Sequence, residues 1–301
     1  MQRTQAIRIV GVLLASALAS AAAATTERAA SIIAFPKVIA DQKRDTVIEI
    51  TNVSNNPVSA HCFYRSGGPA CEPAIDFDLT LTKEQPIHWV VSRGRTIDPL
   101  LNQGGFDPGA IPPRTNFMGI LECIQVDAAG APFLGDALVG EATLTDLASG
   151  DVAKVNAFGI RSTVTPGEFE ACSQSWTLDH AAEGAADVVV GAGSAIHTDL
   201  TIEPCTQNFE NLTVPTLTIN FLVSNELEQT FMASTTFNCW LNTSLSNISS
   251  MFSRATLGTD AAQTRITSTS GFIVVGQEFH VSSRIEGVTT SAAINAYTDL
   301  P

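Results

Sequence analysis

Basic side chains are scarce in this chain. Sixteen Lys and Arg stand against 30 Asp and Glu, a formal charge of −14 over 301 residues. A surface with that balance repels phosphate backbones and anionic headgroups, which sets nucleic acid and membrane surfaces aside as partners. Catalytic signatures are missing as well. No G-x-S-x-G elbow occurs. Gly191-Ala192-Gly193-Ser194 comes nearest, but it lacks the closing glycine and follows a valine-rich run, the setting of a plain turn. Phosphate-cradling glycine loops are absent. The histidines, His61, His88, His180, His197 and His280, stand singly, without H-E-x-x-H or Cys/His zinc spacing. After the first 24 residues no apolar run approaches the roughly 20 residues that a membrane span needs.

What is present begins with an address. Residues 1–24, MQRTQAIRIVGVLLASALASAAAA, combine Arg3 and Arg8, an apolar run over 9–18, and small residues at 22–24. This is the pattern of a secretory leader, and it places the product outside the cytoplasm, whether periplasmic, surface-held or released, with no membrane insertion once the leader is cleaved. Six cysteines suit an oxidising compartment. Cys62, Cys71 and Cys123 lie in the first half and Cys172, Cys205 and Cys239 in the second, an odd number in each. Cys172 and Cys205, both in loop-like surroundings, are the expected bridge. For Cys62, pairing with Cys71 and pairing with Cys123 across a sandwich both stay open.

The remainder alternates with a period of two, the mark of strands with one buried face. Residues 45–64, DTVIEITNVSNNPVSAHCFY, read as a β-hairpin around a turn at 53–57. In 75–82, Ile75, Phe77, Leu79 and Leu81 face a core, while Asp76, Asp78, Thr80 and Thr82 face water. Residues 31–40 form a first strand, which Pro36 assigns to a sheet edge. Residues 117–126, apolar on both faces, form a central strand, and 137–145 pairs with 152–160. Further strands are expected at 187–190, 200–202, 217–224, 230–240, 264–267, 272–281 and 293–297, with one short helical hint in 245–252. No fixed period marks a solenoid. The fold class is all-β: an antiparallel β-sandwich protein, with two Ig-like units in tandem at 31–165 and 170–301. One larger sandwich is the alternative.

The 45–64 run, together with HWVVSRGR, FDPGAIPP, GILECIQVDAAGAP and FNCWLNTSLSNI, resembles a group of uncharacterised secreted bacterial β-rich proteins that open on an Ig-like strand pair. That resemblance implies export and a β-rich fold, with no assigned activity. Cys62, Trp89 and Cys123 follow the Cys…Trp…Cys order of immunoglobulin domains approximately.

Function is sought in the long irregular loop 93–116, because loops of more than about 15 residues are usually functional or loose. Arg93, Arg95 and Arg114, with Phe106, are the candidate binding residues. They form a local cationic surface suited to a carboxylate-bearing partner, against the simpler reading that the arginines pair with nearby acids and pin the loop. A weaker alternative gathers Asp76, Asp78 and His88 into a metal site, against the simpler reading of a solvated sheet face. The expected function is therefore a non-catalytic binding or structural module of the cell envelope or its exterior, with no cofactor and with an unknown protein, peptide or glycan ligand. A hydrolase or metal-dependent enzyme assembled from separate loops is the alternative, since sandwiches host both.

Overall fold

The computed structural model describes residues 28–68, 73–186, 195–205, 216–281 and 289–295. The leader expected at 1–24, Cys71 and the strand expected at 187–190 lie outside them. Within them the protein is all-β, built from open antiparallel sheets.

β1 (Ile32–Ala40), β3 (Val58–Ser66), β4 (Pro73–Leu81), β6 (Phe117–Val126) and β9 (Phe158–Ile160) form a five-stranded sheet in the order β4-β3-β6-β1-β9. Opposite it lies a four-stranded sheet, β5-β2-β7-β8, made of β2 (Arg44–Asn52), β5 (Pro86–Val90), β7 (Leu138–Asp146) and β8 (Val152–Asn156). The apolar positions of both sheets meet in one core, where Ile48, Ile50, Phe77, Leu79 and Leu121 come together as their alternation requires. Asp76 and Asp78 face solvent.

Residues 45–64 are not a hairpin. β2 pairs with β5 and β7, whereas β3 pairs with β4 and β6, so the connection at 53–57 carries the chain from one sheet to the other. Buried Asn52 holds that crossing: its Nδ2 donates to the carbonyls of Asn56 (2.7 Å) and Thr82 (2.9 Å), and its Oδ1 accepts from Ser54 N at 2.9 Å. Alternation dictates which face a strand buries and is silent about its partner, because pairing is set by the whole chain.

The edge position inferred for β1 is also corrected. β1 lies between β6 and β9, and the β1–β6 register shifts between Phe35 and Val38, a bulge that contains Pro36. β9 pairs only as far as Ala34, and the bulge interrupts the β1–β6 register at Pro36, so the proline sits where neither ladder runs through it.

The second half builds two further sheets. One is β10-β15-β12-β13, from β10 (Ser175–Ala181), β12 (Thr216–Asn225), β13 (Thr230–Asn238) and β15 (Ala261–Thr267). The other is β14-β11-β16-β17, from β11 (Ala195–Pro204), β14 (Leu241–Ser244), β16 (Phe272–Val281) and β17 (Thr289–Asn295). Leu217, Ile219, Phe221 and Val223 of β12 supply the inward row expected of them. The helical hint resolves into two short turns, α2 (Leu245–Ile248) and a 3-10 turn at Ser250–Phe252, which bury Leu245 and Phe252. Sequence pattern missed β10 and β14, the first because Trp176, Thr177 and Leu178 are buried consecutively and break the alternation.

The outer face of the five-stranded sheet does not meet water along β1. All nine β1 residues are buried, and Ala34 and Phe158 join the second core, where Phe158 meets Trp176 edge to face. Charges are trapped in this inner layer. Arg65 Nη1 donates to Glu122 Oε2 at 2.8 Å, with side chains 4% and 3% exposed, and fully buried Glu203 lies beside them. Burial first, and the Glu122 carboxylate second, push the Glu203 carboxyl well above the ordinary glutamate range, with Arg65 opposing. Lys37, turned in at the β1 bulge, has Asp199 at 3.8 Å, and burial presses its amine down to about 8.

Two disulfides are defined by position. Cys172–Cys205 is the expected one. Cys62–Cys123 selects one of the two options left open, but it links directly opposed residues of neighbouring strands β3 and β6 rather than crossing between sheets. That departs from the inter-sheet bridge of immunoglobulin domains. Trp89 is nonetheless buried nearby and donates from Nε1 to Tyr64 Oη at 2.7 Å.

Candidate interaction surface

The 93–116 segment is an ordered platform. It leaves β5 through a tight turn in which Gly94 has φ +62° and any Cβ would overlap the Ile111 carbonyl oxygen, so only glycine fits. Arg95 and Ile111 then bridge antiparallel, N to O at 2.8 and 2.9 Å in the two directions. Asp98 and Pro99 start a helical turn, α1 (Pro99–Gln103), in which Asp98 Oδ1 accepts from Leu100 N at 2.8 Å. This pair is a helix-start signal that was present in the sequence.

Asp107 is the centre of the brace. Its Oδ1 and Oδ2 accept from Arg95 Nη1 and Nη2 at 2.9 and 3.0 Å, a two-pronged ion pair, and its carboxylate also accepts from Gly109 N at 2.8 Å and Asp98 N at 2.6 Å. Its side chain is only 2% exposed. Hydrogen bonding from Arg95, ahead of the backbone donors, holds the Asp107 carboxyl well below the usual carboxylate range. Such a group stabilises the loop at every pH above the unfolded aspartate's pKa, and that stabilisation fades only as pH falls toward the depressed folded value. Asp107→Ala is expected to lose about 1 to 3 kcal/mol of stability, the range for hydrogen bonds to a charged group and for donors left without it, because the Arg95 side chain left behind is 17% exposed and reaches water. Urea unfolding at neutral pH measures it. A loss under about 1 kcal/mol would show the pair to be solvated, as surface pairs are.

The candidate residues divide accordingly. Arg95 is committed to the brace, with Nη1 also donating to Gly109 O at 2.6 Å. Arg114 is half-buried, lies 5.3 Å from the Phe117 ring centre and donates its backbone N–H to Val91 O at 2.8 Å. Arg93 is exposed. Phe106 is 56% exposed, and the sequence reading missed the apolar side chains that accompany it: Ile97 at 49%, Leu100 at 79% and Leu101 at 40%. α1 buries none of its residues. Large apolar side chains are thus exposed together on this one segment.

The acids of β4 do not meet His88. β5 belongs to the opposite sheet, where His88 stands across from Glu49. His61 meets them instead: its Nδ1 is 2.6 Å from Asp78 Oδ1 and its Nε2 is 3.4 Å from Asp76 Oδ2. Both ring nitrogens thus face carboxylates on a wet sheet face. Among the described residues, no group of three or more His, Cys, Asp or Glu side chains is arranged to hold a metal ion.

An open groove of about 560 Å³ in the second half is lined by Asp179, Glu226 and Glu278 with His180. Burial lowers the His180 pKa, leaving a neutral ring whose Nδ1 donates to Ala181 O while Nε2 accepts from Thr264 Oγ1, both at 2.8 Å. With both nitrogens engaged, the ring is a structural cross-tie. Comparison with protein families, with characterised proteins and with solved structures finds no match.

Proposed function

We propose that the chain is a non-catalytic, exported binding protein of two β-sandwich units in tandem, Ig-like in plan, that docks a protein or peptide through the 93–116 loop. The observation that carries this reading is the pairing of a rigid brace with an exposed apolar crest. A loop tied by Arg95, Asp107 and the Arg95–Ile111 bridge presents Leu100 and Phe106 to solvent without losing conformational freedom on binding, which is the main gain of preorganisation. Exposed Arg93 adds a cation on a molecule of net charge −14, so the fitting partner combines apolar side chains with a carboxylate. The leader and the disulfides support an oxidising, extracytoplasmic setting.

The test is a selection of displayed random peptides against the mature protein, repeated on Leu100→Ser/Phe106→Ser. Both substituted side chains are exposed, so the double variant is expected to unfold at the wild-type temperature. Peptides rich in apolar and acidic residues should bind the wild type and lose at least about tenfold in affinity for the variant, equivalent to about 1.4 kcal/mol. Equal binding to both proteins would overturn the assignment of the surface.

A further inference from the structure

Most edge strands of this protein are built to refuse a partner. β4 carries Asp76 and Asp78, β10 carries Asp179 and His180, β5 opens on Pro86, and β9 and β14 are three and four residues long. Short strands, charges and proline are the usual ways of blunting an exposed row of N–H and C=O groups. β17 abuts β8.

β13 has none of these devices. Its nine residues, TFMASTTFN, include no charge and no proline. It pairs with β12 along one edge, and among the described residues no strand lies along the other. Its core-side residues Phe231, Ala233 and Phe237 pack against the second core yet remain half-buried, so that core is left unsealed along this edge.

We propose that β13 is a self-association edge: two copies of the chain pair β13 with β13, antiparallel, about a two-fold axis at Ser234, joining their sheets into one. The strand is self-complementary about that residue. The axis sets Phe231 opposite the partner's Phe237 and Ala233 opposite the partner's Thr235, so the aromatic rings match at both ends and small residues meet between them. On the outer face Met232 meets the partner's Thr236 and Thr230 meets the partner's Asn238. Sliding the register by one residue would set core-side against solvent-side positions, and moving the axis to Met232 would oppose Phe231 to the partner's Ala233. The strand's neutrality lets two molecules of net charge −14 approach here. Antiparallel pairing also keeps Glu226 and Glu228, in the turn before the strand, at the opposite end from their counterparts in the second copy. One strand pair covers less than the roughly 1,600 Å² of a standard interface, so the dimer should dissociate on dilution.

Sedimentation velocity of the mature protein over a range of concentrations tests this. The wild type is expected to shift from monomer to dimer as concentration rises. Ser234→Lys places like charges opposite each other at the axis and should abolish the dimer over the same range, with circular dichroism and melting temperature unchanged, since Ser234 is exposed. Leu222→Lys, on the same outer face but in interior strand β12, should leave the dimer intact. A wild type that stays monomeric throughout overturns the proposal, as does a dimer that survives Ser234→Lys or one that is lost equally in Leu222→Lys.

Discussion

Arg65→Met is expected to destabilise the protein by about 3 to 5 kcal/mol at neutral pH, because it removes the cation that, among the described residues, pairs with Glu122 and leaves that carboxylate out of water. Arg65, Glu122 and Glu203 are 3%, 2% and 0% exposed, so no solvent can take over the guanidinium's role. The same physics predicts that replacing the cluster together, Arg65→Met with Glu122→Leu and Glu203→Leu, recovers most of the loss, since apolar residues of similar volume carry no desolvation penalty. Urea unfolding of the single and triple variants decides the matter. A single variant within about 1 kcal/mol of wild type would show that water reaches the layer.

The pH dependence has a definite sign. Glu203 has a folded pKa raised above its unfolded value, so in the unfolded chain it releases its proton in the ordinary glutamate range while the folded protein keeps it. The stability tied to that proton is complete below the ordinary range and declines as pH rises toward the raised value. Glu203→Gln, which imitates the protonated form, should flatten that decline. Lys37 acts over a separate window: its folded value of about 8 lies below the unfolded one, so its buried charge opposes folding at neutral pH, and the opposition weakens as pH rises above about 8.

Phe35→Ala is expected to cost a further about 3 to 5 kcal/mol, the range for deleting a buried aromatic side chain from a well-packed core. Phe35 is fully buried on β1, and its ring occupies the space over Gly140, where an added Cβ would come within 2.7 Å of Phe35 Cζ and 2.8 Å of the Glu49 carbonyl oxygen. The neighbouring backbone leaves little room for collapse, so the cavity should persist and place the loss toward the upper end. By contrast, Asp78→Asn on wet strand β4 should stay within about 0.5 kcal/mol. Thermal and denaturant unfolding read both, and the reverse ordering would place the wrong faces of β1 and β4 against the core.

The alternation of Ile48 with Glu49, or of Leu79 with Asp78, was sufficient by itself to determine which side of each strand is buried, because successive side chains point to opposite faces wherever a strand lies. The chain reversal at 53–57 and the all-β class are local in the same sense, and so is the Asp98-Pro99 helix start, which sequence pattern missed inside an irregular loop. What the tertiary structure alone decided is non-local: that β2 and β3 part into different sheets, that Pro36 sits in a bulge of a strand covered on both faces, and that His61 rather than His88 meets the aspartates of β4. Glu122 and Glu203 show the division most sharply. In sequence the two-sided apolar run at 117–126 marks Glu122 as interior, but nothing adjacent to Glu122 or to Glu203, in its more polar strand, supplies a partner for the charge. Their environment comes from Arg65, distant in the chain from both, and from the packing of one sheet on another. A charge becomes a buried charge only when chain closure brings its partner, and that depends on contacts for which neighbouring residues hold no record.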